Sequence, residues 1–138
     1  MIKKKEKQIY SGKVIIPVGY SNQPEPHEED VAKILARHFM TSVKFLMPID
    51  DYKRKTADIK MLGVNWEIKC PKGNSKSTIR NQFRRASGQS KNIIIDTRRT
   101  KLKYKNIEKS VLFELSKRPY VKRLILIDQS ENVIEILR

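Results

Sequence analysis

Cysteine is nearly missing from this chain, which has one, Cys70. A single thiol excludes an internal disulfide framework and any multi-cysteine zinc site. Histidine is almost as scarce. His27 and His38 fall on one short helical stretch, and neither has a companion thiol or serine, so a Ser-His-Asp or Cys-His nucleophile is not expected. Aromatic residues make up only 7% of the chain, one Trp, four Phe and five Tyr, and leave few platforms for stacking. No apolar run approaches the ~20 residues that span a bilayer, and the basic start MIKKKEK leads into no signal-peptide core. A soluble protein acting in the cytoplasm, with no membrane partner, is the expectation. Acidic residues are the last shortage: fifteen against thirty Lys and Arg leave a net charge of +15. Such a field favours polyanions, nucleic acid before any other.

At 138 residues, 38% hydrophobic and 33% charged, the chain is expected to fold as one domain with a real core. Residues 1–12 read as a basic arm, and 13–18, KVIIPV, as a short strand with Pro17 marking an edge. A helix is predicted over 28–40, with Pro26 near its start, Glu28, Glu29 and Asp30 in its first turn, and Val31, Ile34, Leu35 and Phe39 as its apolar face. Glu28 lies three and seven residues before Val31 and Leu35 and so shares their inward face, where helix-dipole compensation and metal ligation compete as its role. A strand over 43–47 follows, then a loop over 49–55 carrying Lys53, Arg54 and Lys55.

The stretch 56–69, TADIKMLGVNWEIK, reads as two strands joined at Gly63. Ile59, Met61, Trp66 and Ile68 form its apolar set, and Asp58, Lys60, Glu67 and Lys69 its polar set. A two-residue turn at Leu62-Gly63 or Gly63-Val64 pairs positions summing to 125 or 127, and in either register alternation puts Asp58 with Glu67 and Lys69. Two carboxylates beside a lysine suit a hard divalent cation and phosphoryl chemistry; an ordinary cross-strand ion pair is the competing reading.

Beyond the turn residues 71–74, a helix over 77–86 is predicted with Ser77 as N-cap, Ile79, Phe83 and Ala86 as buried stripe, and Gln82 on that stripe. Strands are expected over 91–96 and 121–128, a helix over 107–117 between them, and a last strand over 133–137. The order gives an α/β protein, a three-layer sandwich with a central mixed sheet. Its catalytic core would span 27–96, with a C-terminal helix and strands over 105–138.

Asp58 followed by Glu67-x-Lys69 on the next strand resembles the PD-(D/E)xK nuclease superfamily, whose αβββαβ core order matches here. HEEDVAKILA (27–36), ADIKMLGVNWEIKCPKG (57–73) and IRNQFRRASGQSKNIIIDTRR (79–99) are similar to the C-terminal transfer-RNA nuclease domain of contact-dependent growth inhibition toxins, over about three quarters of the chain. Ala57 stands where the superfamily has proline. The resemblance implies metal-dependent hydrolysis of phosphodiester bonds in RNA, tRNA favoured, with Mg²⁺ or Mn²⁺. It implies Asp58, Glu67 and Glu28 as metal ligands, Lys69 as catalytic lysine, Gln82 as an accessory group, and an acidic immunity protein as inhibitor. Lys72, Lys76, Arg80, Arg84, Arg98 and Arg99 are candidate phosphate contacts. Two alternatives remain in view: a DNA endonuclease of the same fold, and a basic nucleic-acid-binding module without catalysis.

Overall fold

Pro26 opens the first helix. A computed structural model of the chain describes residues 12–17, 24–46, 58–86 and 91–136. The basic arm over 1–11, the end of the first predicted strand at Val18, the loop with Lys53, Arg54 and Lys55, and Gly88 lie outside the described residues.

Among the described residues, seven strands hydrogen-bond in chain order in a mixed sheet, and the α/β class read from the sequence is the one found. They are β1 (Lys13–Ile15), β2 (Ser42–Phe45), β3 (Ile59–Met61), β4 (Val64–Lys69), β5 (Asn92–Asp96), β6 (Arg123–Ile127) and β7 (Val133–Ile136). The helices are α1 (Pro26–Phe39), α2 (Thr78–Arg85) and α3 (Tyr104–Ser116). Contacts gather into two compact units, Met1–Trp66 and Glu67–Arg138, divided within β4. No helix of the described residues is long and apolar enough to cross a membrane.

In the first unit, Pro sits at the start of α1 because its missing N–H falls among donors that no helix turn satisfies. Val31, Ala32, Ile34, Leu35 and Ala36 are buried, each large side chain worth roughly 1.5–3 kcal/mol of hydrophobic stabilisation. Met40 ends the helix in the left-handed region, at φ 51°. Beyond it, β2 pairs parallel with β1 and antiparallel with β3, and its alternation buries Val43 and Phe45. β3 and β4 pair as Ile59↔Trp66, Lys60↔Asn65 and Met61↔Val64. The register sums to 125, so Leu62 and Gly63 are the central turn residues. Both have positive φ, 55° and 78°, as a primed hairpin turn demands. The Trp66 indole, fully buried, donates from Nε1 to the Met61 carbonyl at 2.9 Å.

In the second unit, β4, β5 and β6 run parallel and β7 returns antiparallel. Ile93, Ile94 and Ile95 are all buried, as are Leu124, Ile125, Leu126 and Ile127. This is the continuous apolar run of strands covered on both faces. Ile79, Phe83 and Ala86 pack with Ile93, Ile95, Ile107, Val111, Leu115, Leu124 and Leu126 in one cluster. α3 begins three residues before its predicted start. Tyr104 packs against the cluster, so the helix pattern already operates among Lys101, Lys103 and Lys105. Ser77 holds the N-cap position of α2 without a side-chain cap bond; its hydroxyl instead lies 3.0 Å from that of Ser75.

Candidate active site

Parallel neighbours send their following loops out at the same, carboxyl, edge of the sheet, where ligands of α/β proteins bind. Three such loops leave β4, β5 and β6, and side chains tie them in series. Thr100 Oγ1 donates to the Gly73 carbonyl at 2.6 Å, and Asn74 Oδ1 accepts the Lys101 N–H at 2.8 Å. Gln129 Nε2 then donates to the carbonyls of Thr100 and Leu102 at 2.7 and 2.9 Å. Each of these bonds joins residues at least 27 positions apart.

At this edge of β4, Lys69 Nζ stands 3.0 Å from Glu67 Oε2, the two side chains 20% and 13% exposed. The same ammonium reaches the Arg85 carbonyl at 3.4 Å, in the last turn of α2. Beside it opens a hollow of about 490 Å³ lined by Cys70, Lys72, Thr78, Asn81, Gln82, Arg85 and Arg99 among others. Three cations, two amides and a threonine hydroxyl offer hydrogen-bond donors and no carboxylate competes among the described lining residues, which is the chemistry of a phosphate-binding surface.

The predicted residues divide by place. Glu67, Lys69, Lys72, Gln82 and Arg99 belong to this edge and its hollow. Gln82 is half-buried beside the Ile79 stripe and borders the hollow. It shares the lining with Thr78, Asn81 and Arg85, a helical set spaced by three and four residues, while Nε2 donates to the Thr78 carbonyl at 3.3 Å. Arg98 is engaged elsewhere. Its backbone N–H, Nε and Nη2 all donate to the fully buried Asp96 carboxylate, at 3.1, 2.9 and 2.9 Å. Lys76 and Arg80 line a groove between α2 and α3, and Arg84 is exposed.

Asp58 and Glu28 lie in the first unit. The Asp58 N–H donates to the Trp66 carbonyl at 2.9 Å, and its carbonyl accepts from Leu46 at 3.0 Å. Trp66 pairs with Ile59, the first residue of β3, so Asp58 stands just before that strand and is tied to β4 through the Trp66 carbonyl. Glu28 Oε1 accepts the Glu25 N–H at 2.9 Å, an N-terminal capping contact of α1. Among the described residues no group of three or more His, Cys, Asp or Glu is placed to hold a metal ion. Carboxylate oxygens remain the right donors for Mg²⁺, which binds through one or two of them and keeps its waters.

Reading the sequence missed Arg85 and Asn81, although their spacing from Gln82 was available as a signal. It also missed the Thr100–Gly73 and Gln129–Thr100 ties, for which no local pattern exists.

The profile of the family described as contact-dependent growth inhibition CdiA C-terminal domain matches residues 55–133. A solved structure, the CdiA-CT/CdiI toxin and immunity complex from Burkholderia pseudomallei, is similar with a TM-score of 0.67 and 19% identity, covering 92% of this chain and 100% of that one. At this identity the likeness is one of fold. No curated protein matches.

Proposed function

The chain belongs to the contact-dependent growth inhibition CdiA C-terminal domain family, and from that premise we propose that it is a toxin-type nuclease. It would hydrolyse phosphodiester bonds in RNA, with tRNA as the favoured substrate, on the PD-(D/E)xK plan. The observation that carries the reading is the Glu67–Lys69 pair at the carboxyl edge of β4, next to a hollow lined by Lys72, Arg85 and Arg99.

In this reading the hollow binds phosphate groups flanking the scissile bond and fixes the strand's direction. Lys69 is held by Glu67 and the Arg85 carbonyl with its ammonium at a defined point. There it orients the attacking water and stabilises negative charge that develops on the phosphoryl oxygens. Attack forms the new P–O bond as the bond to the leaving ribose oxygen breaks, and that oxygen takes up a proton. Glu67 and Asp58 are assigned as carboxylate ligands by their motif positions, with Glu28 as a third. A bound Mg²⁺ or Mn²⁺ would polarise the phosphoryl group. An acidic immunity protein is the proposed inhibitor, supported by the +15 charge and by the toxin and immunity pairing of the similar structure.

Incubating the protein with total tRNA, in Mg²⁺ or in EDTA, tests this beside Glu67→Gln and Lys69→Ala. Discrete fragments that require metal and vanish in both variants are expected. Intact tRNA with cleaved duplex DNA would replace RNA with DNA as substrate. Intact nucleic acid throughout would leave a binding module.

A further inference from the structure

A second cationic surface lies on the other side of α2 from the hollow. Lys76, Ser77 and Arg80 of the α2 end face Lys109, Ser110, Phe113 and Lys117 of α3 across a groove of about 390 Å³. It adjoins another of about 350 Å³ that shares Lys76, Lys109 and Ser110 and adds Asn106. On α3 the residues Asn106, Lys109, Ser110, Phe113 and Lys117 follow steps of three and four, one stripe about 16 Å long.

Three features give the groove a chemical character. Glu114, the one acid among its described lining residues, is buried and paired with Arg118, so it does not offset the groove's lysines. Lys76, Arg80, Lys109 and Lys117 make no ion pair with any described residue. Phe113 is 59% exposed, and Lys117 Nζ sits 4.5 Å above its ring centroid. An exposed ring set among unpaired cations, one of them over its face, is the combination that holds single-stranded nucleic acid. Cations track the phosphates and the ring stacks a base.

We infer that the α2–α3 groove is a second substrate-binding track that carries a single-stranded segment of RNA, with Lys109 and Lys117 on its phosphates and Phe113 stacked on a base. The inference rests on the nuclease reading for the class of ligand. It adds a surface on α3 that neither the motif nor the hollow includes. α2 then stands between two phosphate surfaces, with Lys76 and Arg80 on one side and Gln82 and Arg85 on the other.

Fluorescence anisotropy of labelled tRNA, titrated with KCl in EDTA so that metal-dependent cleavage is silent, tests it. The native chain is compared with Lys109→Ala/Lys117→Ala, Phe113→Ala and Lys72→Ala. The double variant should flatten the slope of log K against log[salt] by about 1.4, two single-strand phosphate contacts. Phe113→Ala should weaken binding roughly tenfold with the native slope kept, because stacking releases no counterion. All these side chains are exposed, so unchanged thermal unfolding serves as the control for folding. If Lys72→Ala weakens binding while the α3 variants bind as the native chain does, the track is overturned and the nuclease reading survives. If the native chain binds no tRNA, both fall. If the α3 variants bind tRNA normally but lose an acidic protein inhibitor, the groove is a protein interface and the inference is wrong.

Discussion

Lys69 and Glu67 share one edge of β4, their charged atoms 3.0 Å apart and both partly open to solvent. The pair is mostly shielded but keeps some contact with water, so breaking it costs less than breaking a fully buried one, about 1–2 kcal/mol, while an oriented ammonium facing a transition state is worth a factor of 100 or more in rate. Lys69→Ala is therefore expected to lower cleavage by roughly 100-fold or more with a loss of unfolding free energy of about 2 kcal/mol or less. Single-turnover cleavage and urea denaturation of the same preparation check the two halves. A large stability loss would make the pair structural.

Asp96 and Arg98 call for the opposite result. The carboxylate is fully buried and takes three hydrogen bonds from Arg98. Arg98→Ala leaves that charge without its main partner and is expected to destabilise the protein by about 3 kcal/mol. Arg99→Ala, on the lining of the hollow, should leave the urea midpoint within about 0.5 kcal/mol of native and weaken RNA binding instead.

Met40 closes α1 at φ 51° and is 55% exposed, so its side chain gains little from packing while its backbone is held where L-residues are disfavoured. Met40→Gly is expected to stabilise the protein by about 1 kcal/mol, read as a higher thermal midpoint.

Asp128 closes the turn between β6 and β7. Burial acts to raise its pKa, but hydrogen bonds from the Asn132 side chain and from the backbone N–H groups of Asn132 and Ser130 outweigh it, and the net shift is below 3.8. A lowered folded-state pKa means the ionised carboxylate stabilises the fold above the unfolded value near 3.8. That contribution is lost as pH falls through the folded value. Asn132→Ala should shrink this acid-side loss, seen as a shallower fall in the urea midpoint between neutral pH and acid. Tyr104 has the reverse sign. Burial first, then the Glu108 carboxylate, raises its pKa above 10.0. Its contribution is complete below 10.0 and disappears as pH rises through the folded value.

Much of the fold was legible because local patterns and the final packing agree. The β3–β4 hairpin was readable from one glycine and the alternation around it, since a slip by one residue would bury Lys60 and expose Ile59. The αβββαβ order was readable from periodicity alone. The backbone bond from Asp58 to Trp66 depends on how the β3–β4 ladder ends, and alternation carries no signal for that. Arg98 looked like a surface cation among its neighbours Thr97 and Arg99. Its role follows from Asp96, buried at the end of β5.

The sequence by itself determined the element order, the buried faces of most helices and strands, the net charge of +15 and the Glu67-x-Lys69 spacing. Charge is composition, and the rest depends on intervals of two to four residues, which the chain's own geometry converts into faces. Tertiary structure alone decided which cations line a common surface. Lys72, Arg85 and Arg99 meet around one hollow, each more than a dozen residues from the next, and Lys76 and Arg80 meet Lys109 and Lys117 around one groove. Those meetings follow from the parallel pairing of β4 and β5 and the packing of α2 on α3, which local spacing does not encode.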